Sequence, residues 1–478
     1  MPQLVLGPLL RYVGSTTATV WVETDAPCTV EVLGHEPDAG VRSGGPEGRS
    51  PTFHVEGHHY GLVLLEDLEP GTERAYEVHL DGERVWPQPG DPRPPSVIRT
   101  RQHEDRARLV FGSCRVAAPH APPYTLPKGD HPDAHGVDAL RALSQRMQAR
   151  TEPPPDCLLL LGDQVYADEV SPGTLEFIRQ RRDVSVPPGE EIADFEEYTR
   201  LYRESWSDPD IRWLLATVPS TMIFDDHDLC DDWNISEAWV AEMRRRPWWD
   251  ERVVGAFMSY WIYQHLGNLS PPELAEETLL AQLRQDADGG SRLRAFARMA
   301  DRESAASRWA YHRDFSPHAA GGGRLPRRLG AARRGGRDIA VDAPMNGRDR
   351  RAHHGDIDHL IIASTLPVFM IHGVHHLEAW NEAVCAGAQR GPRRQGRSRA
   401  APSTWSTGRR SSARSPAWST CWARWPRGRT PRAPSRASAG RPPRLHRGGH
   451  LASAPPRAVC TRWCARRSGI RSPRTSAA

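Results

Sequence analysis

Three short apolar runs in the first half of the chain stop abruptly at residues able to hold a metal ion. They read Arg108-Leu-Val-Phe-Gly-Ser-Cys114, Cys157-Leu-Leu-Leu-Leu-Gly-Asp163-Gln-Val-Tyr166 and Thr221-Met-Ile-Phe-Asp225-Asp-His-Asp228. Brief continuous apolar runs bounded by Gly or Asp suit strands buried on both faces, as in the parallel sheets of α/β folds. Ligand sites in such sheets form just beyond the carboxyl ends of the strands. The three run ends are therefore expected to converge on one site.

The donors gathered there are thiolate, carboxylate, phenolate and imidazole. That set suits iron, manganese or zinc, with calcium where oxygen dominates. Two such ions can bind a phosphate ester and acidify a water molecule, which points to ester hydrolysis. Each residue alone has a plainer reading. Gly-Asp after a strand is commonly a turn, Cys114 could be a small buried hydrophobe, and His227 a structural histidine. Three coincident strand ends outweigh these separate readings.

Gly162-Asp163-Gln-Val-Tyr166 resembles the Gly-Asp-x-x-Tyr element of purple acid phosphatases and PhoD-like alkaline phosphatases. Asp225-Asp226-His227-Asp228 resembles the Asp-Asp-His-Glu element of the PhoD-like group, and Ser113-Cys114 is similar to its cysteine element. The resemblance implies that Asp163 bridges two metals, Cys114 and Tyr166 complete an iron-like site, and Asp226 holds the second metal. Asp225 and Asn234 are further metal candidates. His227 would touch the phosphate or protonate the leaving alkoxide, oriented by Asp228 or Asp225. The implied cofactor is a dinuclear centre of iron with calcium, or of manganese or zinc. The implied fold is α/β: a fibronectin-like β-sandwich, then a metallophosphoesterase α/β/β/α sandwich that is incomplete at its C-terminal end.

Residues 1–95 read as the β-sandwich, with alternating Thr17-Ala-Thr-Val-Trp-Val-Glu and an Asp81-Gly82 turn after Tyr76-Glu-Val-His-Leu. This unit is expected to brace the catalytic domain. A Pro-rich stretch, Trp86 to Ser96, and a linker at 96–106 lead to the phosphatase domain at 107–388. Helical spacing continues after the third run, in Ile235 to Met243 and Trp248 to Leu266, whose tryptophans read as core and lid packing rather than substrate-stacking faces.

The remainder departs from globular composition. From Gln389 to Ala478 there is no Asp, Glu or Lys and Arg is abundant, while Ser316 to His353 is similarly short of apolar runs. Lys128 is the single lysine, which implies a GC-rich gene whose shifted frames would yield Arg, Ala, Pro and Gly. Read one base over with permitted codons, Arg441-Pro-Pro-Arg-Leu-His-Arg-Gly-Gly can decode as Val-His-His-Ala-Tyr-Ile-Ala-Glu, the histidine element that the resemblance lacks. Segments 316–353 and 389–478 therefore read as out of frame, the second as a disordered arginine-rich tail. Ile371-His-Gly-Val-His-His376 is a superficial substitute without the required Asp.

Two other classes stay open: an inactive binding or structural remnant, and a nucleic-acid binder acting through the basic tail. The tail lacks an RNA-binding signature, so a phosphate ester is the expected partner. With no apolar stretch of spanning length and no leader pattern at the start, the expected location is cytoplasmic. The scattered cysteines read as reduced thiols.

Overall fold

Alternating burial builds the amino-terminal strands: in β3 (Thr29–His35), Val30 and Val32 are buried while Thr29, Glu31 and Leu33 are partly exposed. The computed structural model describes residues 1–35, 47–101, 107–234 and 237–303, with isolated positions between 309 and 376. The other strands of the first unit are β1 (Leu4–Val13), β2 (Ala18–Thr24), β4 (Glu47–Pro51), β5 (Phe53–Val55), β6 (His58–Leu65), β7 (Glu73–Leu80), β8 (Glu83–Trp86) and β9 (Val97–Arg99). They form two antiparallel sheets, ordered β1-β2-β6-β5 and β4-β3-β7-β8, with β9 also on β7. Val20, Val22 and Val63 of one sheet share a core with Val30, Val78 and Trp86 of the other. Asp81 and Gly82 both have positive φ, 50° and 85°, as a tight turn between β7 and β8 requires.

Strand pairing takes in Val97–Arg99. This corrects the linker reading of 96–106, because the backbone from Val97 to Arg99 hydrogen-bonds to β7; residues 102–106 lie outside the described positions.

Buried polar contacts fasten the sandwich to the rest of the chain. Arg11, on β1, is fully buried and donates to the carbonyls of Tyr263 and Gln264, both at 2.8 Å, to the Ser220 carbonyl at 3.3 Å and to Asn268 Oδ1 at 3.2 Å. The Tyr76 hydroxyl donates to the Ala216 carbonyl at 2.6 Å, and the Trp213 indole to the Pro94 carbonyl at 2.7 Å. His58 bridges Glu23 of β2 and Glu196 at 2.8 and 2.7 Å.

The three apolar runs form a parallel sheet, β10 (Leu109–Gly112), β11 (Cys157–Leu161) and β12 (Ser220–Ile223), with β11 central. Both faces of β11 are apolar, for different neighbours. Leu158 and Leu160 join the core with helices Ala139–Gln148, Phe195–Trp206 and Pro209–Thr217. Cys157, Leu159 and Leu161 pack with Phe111, Ile223 and Phe315.

After β12 the chain is helical, through Glu237–Met243 and Trp249–Ser259, a π-helical turn at Tyr260–His265, and Gly290–Arg302. Among the described residues no helix is long and apolar enough to cross a membrane. No strand is described after Ile223, so the second sheet implied by the resemblance lies outside the described residues. So do segments 316–353 and 389–478 and His375; His376 is exposed. Among the described residues, Cys28, Cys114, Cys157 and Cys230 form no disulfide.

Candidate metal centre

Two strands of the parallel sheet turn sharply where their apolar runs end. After β10, Cys114 has φ +60°; after β11, Gly162 and Asp163 have φ +95° and +48°. The left-handed region is costly for side chains other than glycine, and such positions concentrate at functional sites. The Gly162 geometry is enforced by its neighbour, since a Cβ there would lie 2.4 Å from Asp225 Cβ. The two loops thus approach more closely than any larger residue would permit.

Asp163, Asp226 and His227 bring ligand atoms within 4.8 Å of one another. Asp163 is 3% exposed, and its Oδ1 is buried without a hydrogen-bond partner. Burial, then the charge of Asp226, pushes its carboxyl up to about 6, although a hydrogen bond from Cys114 works the other way. Burial also raises Asp226, whose oxygens accept from the backbone N–H groups of His227 at 3.1 Å and Asp232 at 3.0 Å. Buried carboxylates that repel each other beside an unpartnered oxygen are a donor set suited to a cation. Asp226, Asp231 and Asp232 form a second acidic group on the adjoining loop.

Cys114 therefore reaches Asp163, so the ends of the first two runs meet. Tyr166 lies against His227, ring centroids 4.7 Å apart. Arg115 steadies the Cys114 loop by pairing with Asp138 at 2.9 Å and donating to the Ser205 carbonyl at 2.7 Å. Burial and the neighbouring acids Asp163 and Asp226 raise Asp225 far above the usual carboxylate range. Asn234 adopts φ +59° at the end of the loop that carries Asp231 and Asp232.

The orienting partner of His227 is neither Asp228 nor Asp225. Asp168 takes that place, its two oxygens 3.0 and 3.1 Å from Nδ1, while its Oδ2 also accepts from the Asp231 N–H at 2.7 Å. A carboxylate can only accept, so Nδ1 carries the proton and Nε2 faces Asp231 Oδ1 at 3.6 Å. Burial disfavours the imidazolium, but the Asp168 hydrogen bond and charge outweigh it and push His227 up to about 10.

Asp228 has a different task. Buried beneath the site, it accepts from the N–H groups of Gln164 and Val165, both at 3.1 Å, through Oδ1 and from Asp225 N–H at 3.0 Å through Oδ2. It ties the β11 loop to the β12 loop and does not touch the imidazole. The sequence signal for Asp168 was its place two residues beyond Tyr166 in the same loop, but spacing alone does not show that the loop folds back onto His227.

Residues 137–276 match the sequence model of the PhoD-like phosphatase family. That stretch is PhoD-like. It contains Asp163, Tyr166 and Asp225 to Asn234, whereas Cys114 precedes it. Residues 1–98 match a second family model, described as a domain of unknown function, DUF7800. A solved structure titled "Structure of PhoD" is similar at 16% identity, covering 55% of this chain and 46% of that one, with a TM-score of 0.37. The chain thus spans less than half the length of that relative. A comparison with curated proteins returns no match.

Proposed function

We propose that this is a metal-dependent phosphoric ester hydrolase centre, for mono- or diesters, of which the described residues build one half. The observation that supports it best is the buried, unpartnered Oδ1 of Asp163 within reach of Asp226 and His227. Asp163 and Asp226 would hold metal, with Cys114, Tyr166, Asp225 and Asn234 as further ligands. Bound ions would supply positive charge for the phosphoryl group and acidify water.

The chain's own groups account for the rest. Asp168 fixes the His227 ring through Nδ1, leaving Nε2 to donate to a phosphoryl oxygen or to protonate the departing alkoxide. Water oxygen bonds to phosphorus as the ester P–O bond breaks; the alcohol leaves with the proton from Nε2, the water's own protons stay on the phosphate product until solvent takes one, and Nε2 regains a proton from solvent.

The half-centre reading rests on two features. The described ligands all lie just beyond strands of one sheet, and the tail from Gln389 onward contains no carboxylate side chain. We therefore expect the chain as written to retain metal weakly and turn over esters negligibly. Single-base corrections near codons 316, 353 and 389 would restore the missing ligands and full activity. Metal analysis and aryl phosphate hydrolysis of both products test this, alongside resequencing. Two tightly held metals with substantial hydrolysis by the uncorrected chain would sink the half-centre reading and force reconsideration of His375 and His376 as ligands. Resequencing that upheld the present frame would remove the frame-shift account.

A further inference from the structure

A fourth apolar run, Leu360-Ile-Ile-Ala-Ser-Thr365, ends in hydroxyl residues, much as the first three end in metal donors. Its described residues are Ile361, Ala363, Ser364 and Thr365, and the last of them reaches the candidate centre. The Thr365 hydroxyl donates a hydrogen bond to the Asp225 carboxylate. We propose that Thr365 is a positioning residue of the metal centre, fixing the Asp225 carboxylate so that its other oxygen lone pairs stay available to a bound cation. This rests on the hydrolase reading above, in which Asp225 is a ligand, and adds to that centre a residue from the C-terminal part of the chain.

Packing brings Thr365 there. Ala363 lies against Cys157, Leu159 and Leu161 of β11, in a cluster that also takes in Ile223 of β12. This is the face of β11 opposite the one that Leu158 and Leu160 turn to the helices. From the cluster, Asp225 is two residues beyond Ile223 and Thr365 two residues beyond Ala363, so the hydrogen bond joins matching steps of two segments that already pack together.

The hydroxyl meets a carboxylate that is already confined. A Cβ on Gly162 would lie 2.4 Å from Asp225 Cβ and 2.8 Å from its Oδ2, so the side chain rests against the backbone that leads into Asp163. Asp163, Asp226 and Asp228 are its charged neighbours, and ionised carboxylates only accept hydrogen bonds. A neutral hydroxyl donates there without adding a positive charge that would compete with the metal. One such bond takes one of about four acceptor positions on the carboxylate and leaves the others for a cation. Threonine suits the task because its β-branch restricts χ1 and so limits where the hydroxyl can point. Groups that hydrogen-bond to a metal's ligands in this way typically change its affinity by about 10- to 100-fold.

The test is a Mn²⁺ titration of the full chain, with free Mn²⁺ read by its electron paramagnetic resonance signal. Binding by the parent should be weak but saturable, and lost in Asp163→Asn. Thr365→Val, which keeps the shape and removes the donor, should weaken it about tenfold, whereas Thr365→Ser should stay within about threefold of the parent. Because Thr365 acts through Asp225, adding Thr365→Val to Asp225→Ala should change affinity less than about twofold. Circular dichroism checks that each variant is folded, with Thr365→Ala as a second donor-free variant should Thr365→Val misfold. Parent-like affinity in the donor-free variant, equal weakening in Thr365→Ser, or additivity with Asp225→Ala overturns the role of Thr365 and leaves the metal reading standing. A parent that does not saturate, or that binds Mn²⁺ as well in Asp163→Asn, overturns the metal reading and this inference with it.

Discussion

Replacing Arg11 should loosen the join between the β-sandwich and the helical part of the PhoD-like domain. Its guanidinium caps the carbonyls of Tyr263 and Gln264, at the π-helical turn, and reaches the Ser220 carbonyl and Asn268. Asn268 Oδ1 would keep donors from Thr221 and the Met222 N–H, so it adds little to the loss. The three carbonyls would lose charge-assisted bonds in a dry setting, at about 1–3 kcal/mol each. Against this, burial and repulsion from Arg313 already pull the guanidinium down to about 9, so part of the loss returns as relief. A net cost of about 3 kcal/mol is expected for Arg11→Ala, lowering the urea midpoint by roughly 1 M as read by tryptophan fluorescence. Arg11→Met should cost nearly as much, because it preserves the stem but strands the same carbonyls. A Cβ on Gly267 would lie 2.3 Å from Arg11 Nε, so Gly267→Ala should cost less in Arg11→Ala than in the parent. A cost below about 1 kcal/mol, or strictly additive effects, would refute the capping argument.

Three further perturbations probe the centre and the join. In the frame-corrected enzyme, Gly162→Ala combines a φ of +95° with a Cβ placed against Asp225, so metal content should collapse while the urea midpoint falls modestly; a variant that retains metal would show that the loops can separate. In the frame-corrected enzyme, Asp163→Asn should lose both metal and activity, whereas His227→Ala should slow turnover with most metal retained; equal metal loss would undo that division. Burial lowers His58, but its bonds to Glu196 and Glu23 prevail and raise it to about 9, so its stabilising effect is complete below about pH 6.5 and lost as pH rises through 9. Allowing for the exposure of Glu196, that amounts to about 1–2 kcal/mol, and urea titrations across this window should show a slope that His58→Gln removes.

The strands were readable because runs such as Cys157 to Leu161 are apolar at every position and stop at Gly-Asp, a pattern that needs both faces covered. Turn chemistry located Asp81-Gly82 for the same local reason. What escaped the linear reading depends on folding back. Asp168 meets His227 only after the β11 loop reverses, and Arg11 sits in a strand where arginine would ordinarily face water. The π-helical turn at Tyr260–His265 is likewise invisible, since its apolar spacing is compatible with an ordinary helix. Asp228 stands in the motif as an orienting residue for the imidazole, yet its three backbone partners come from two separate loops, which spacing cannot report.

The Asp228 clasp also has a dynamic consequence. The amides of Gln164, Val165 and Asp225 all donate to one buried carboxylate, so neither loop can open without weakening the other's anchorage. In hydrogen exchange the three should form a single cooperative unit, with matched protection that Asp228→Ala abolishes together. The two halves of the metal-facing edge would then breathe in step, and any ligand that slows one loop would quiet its neighbour.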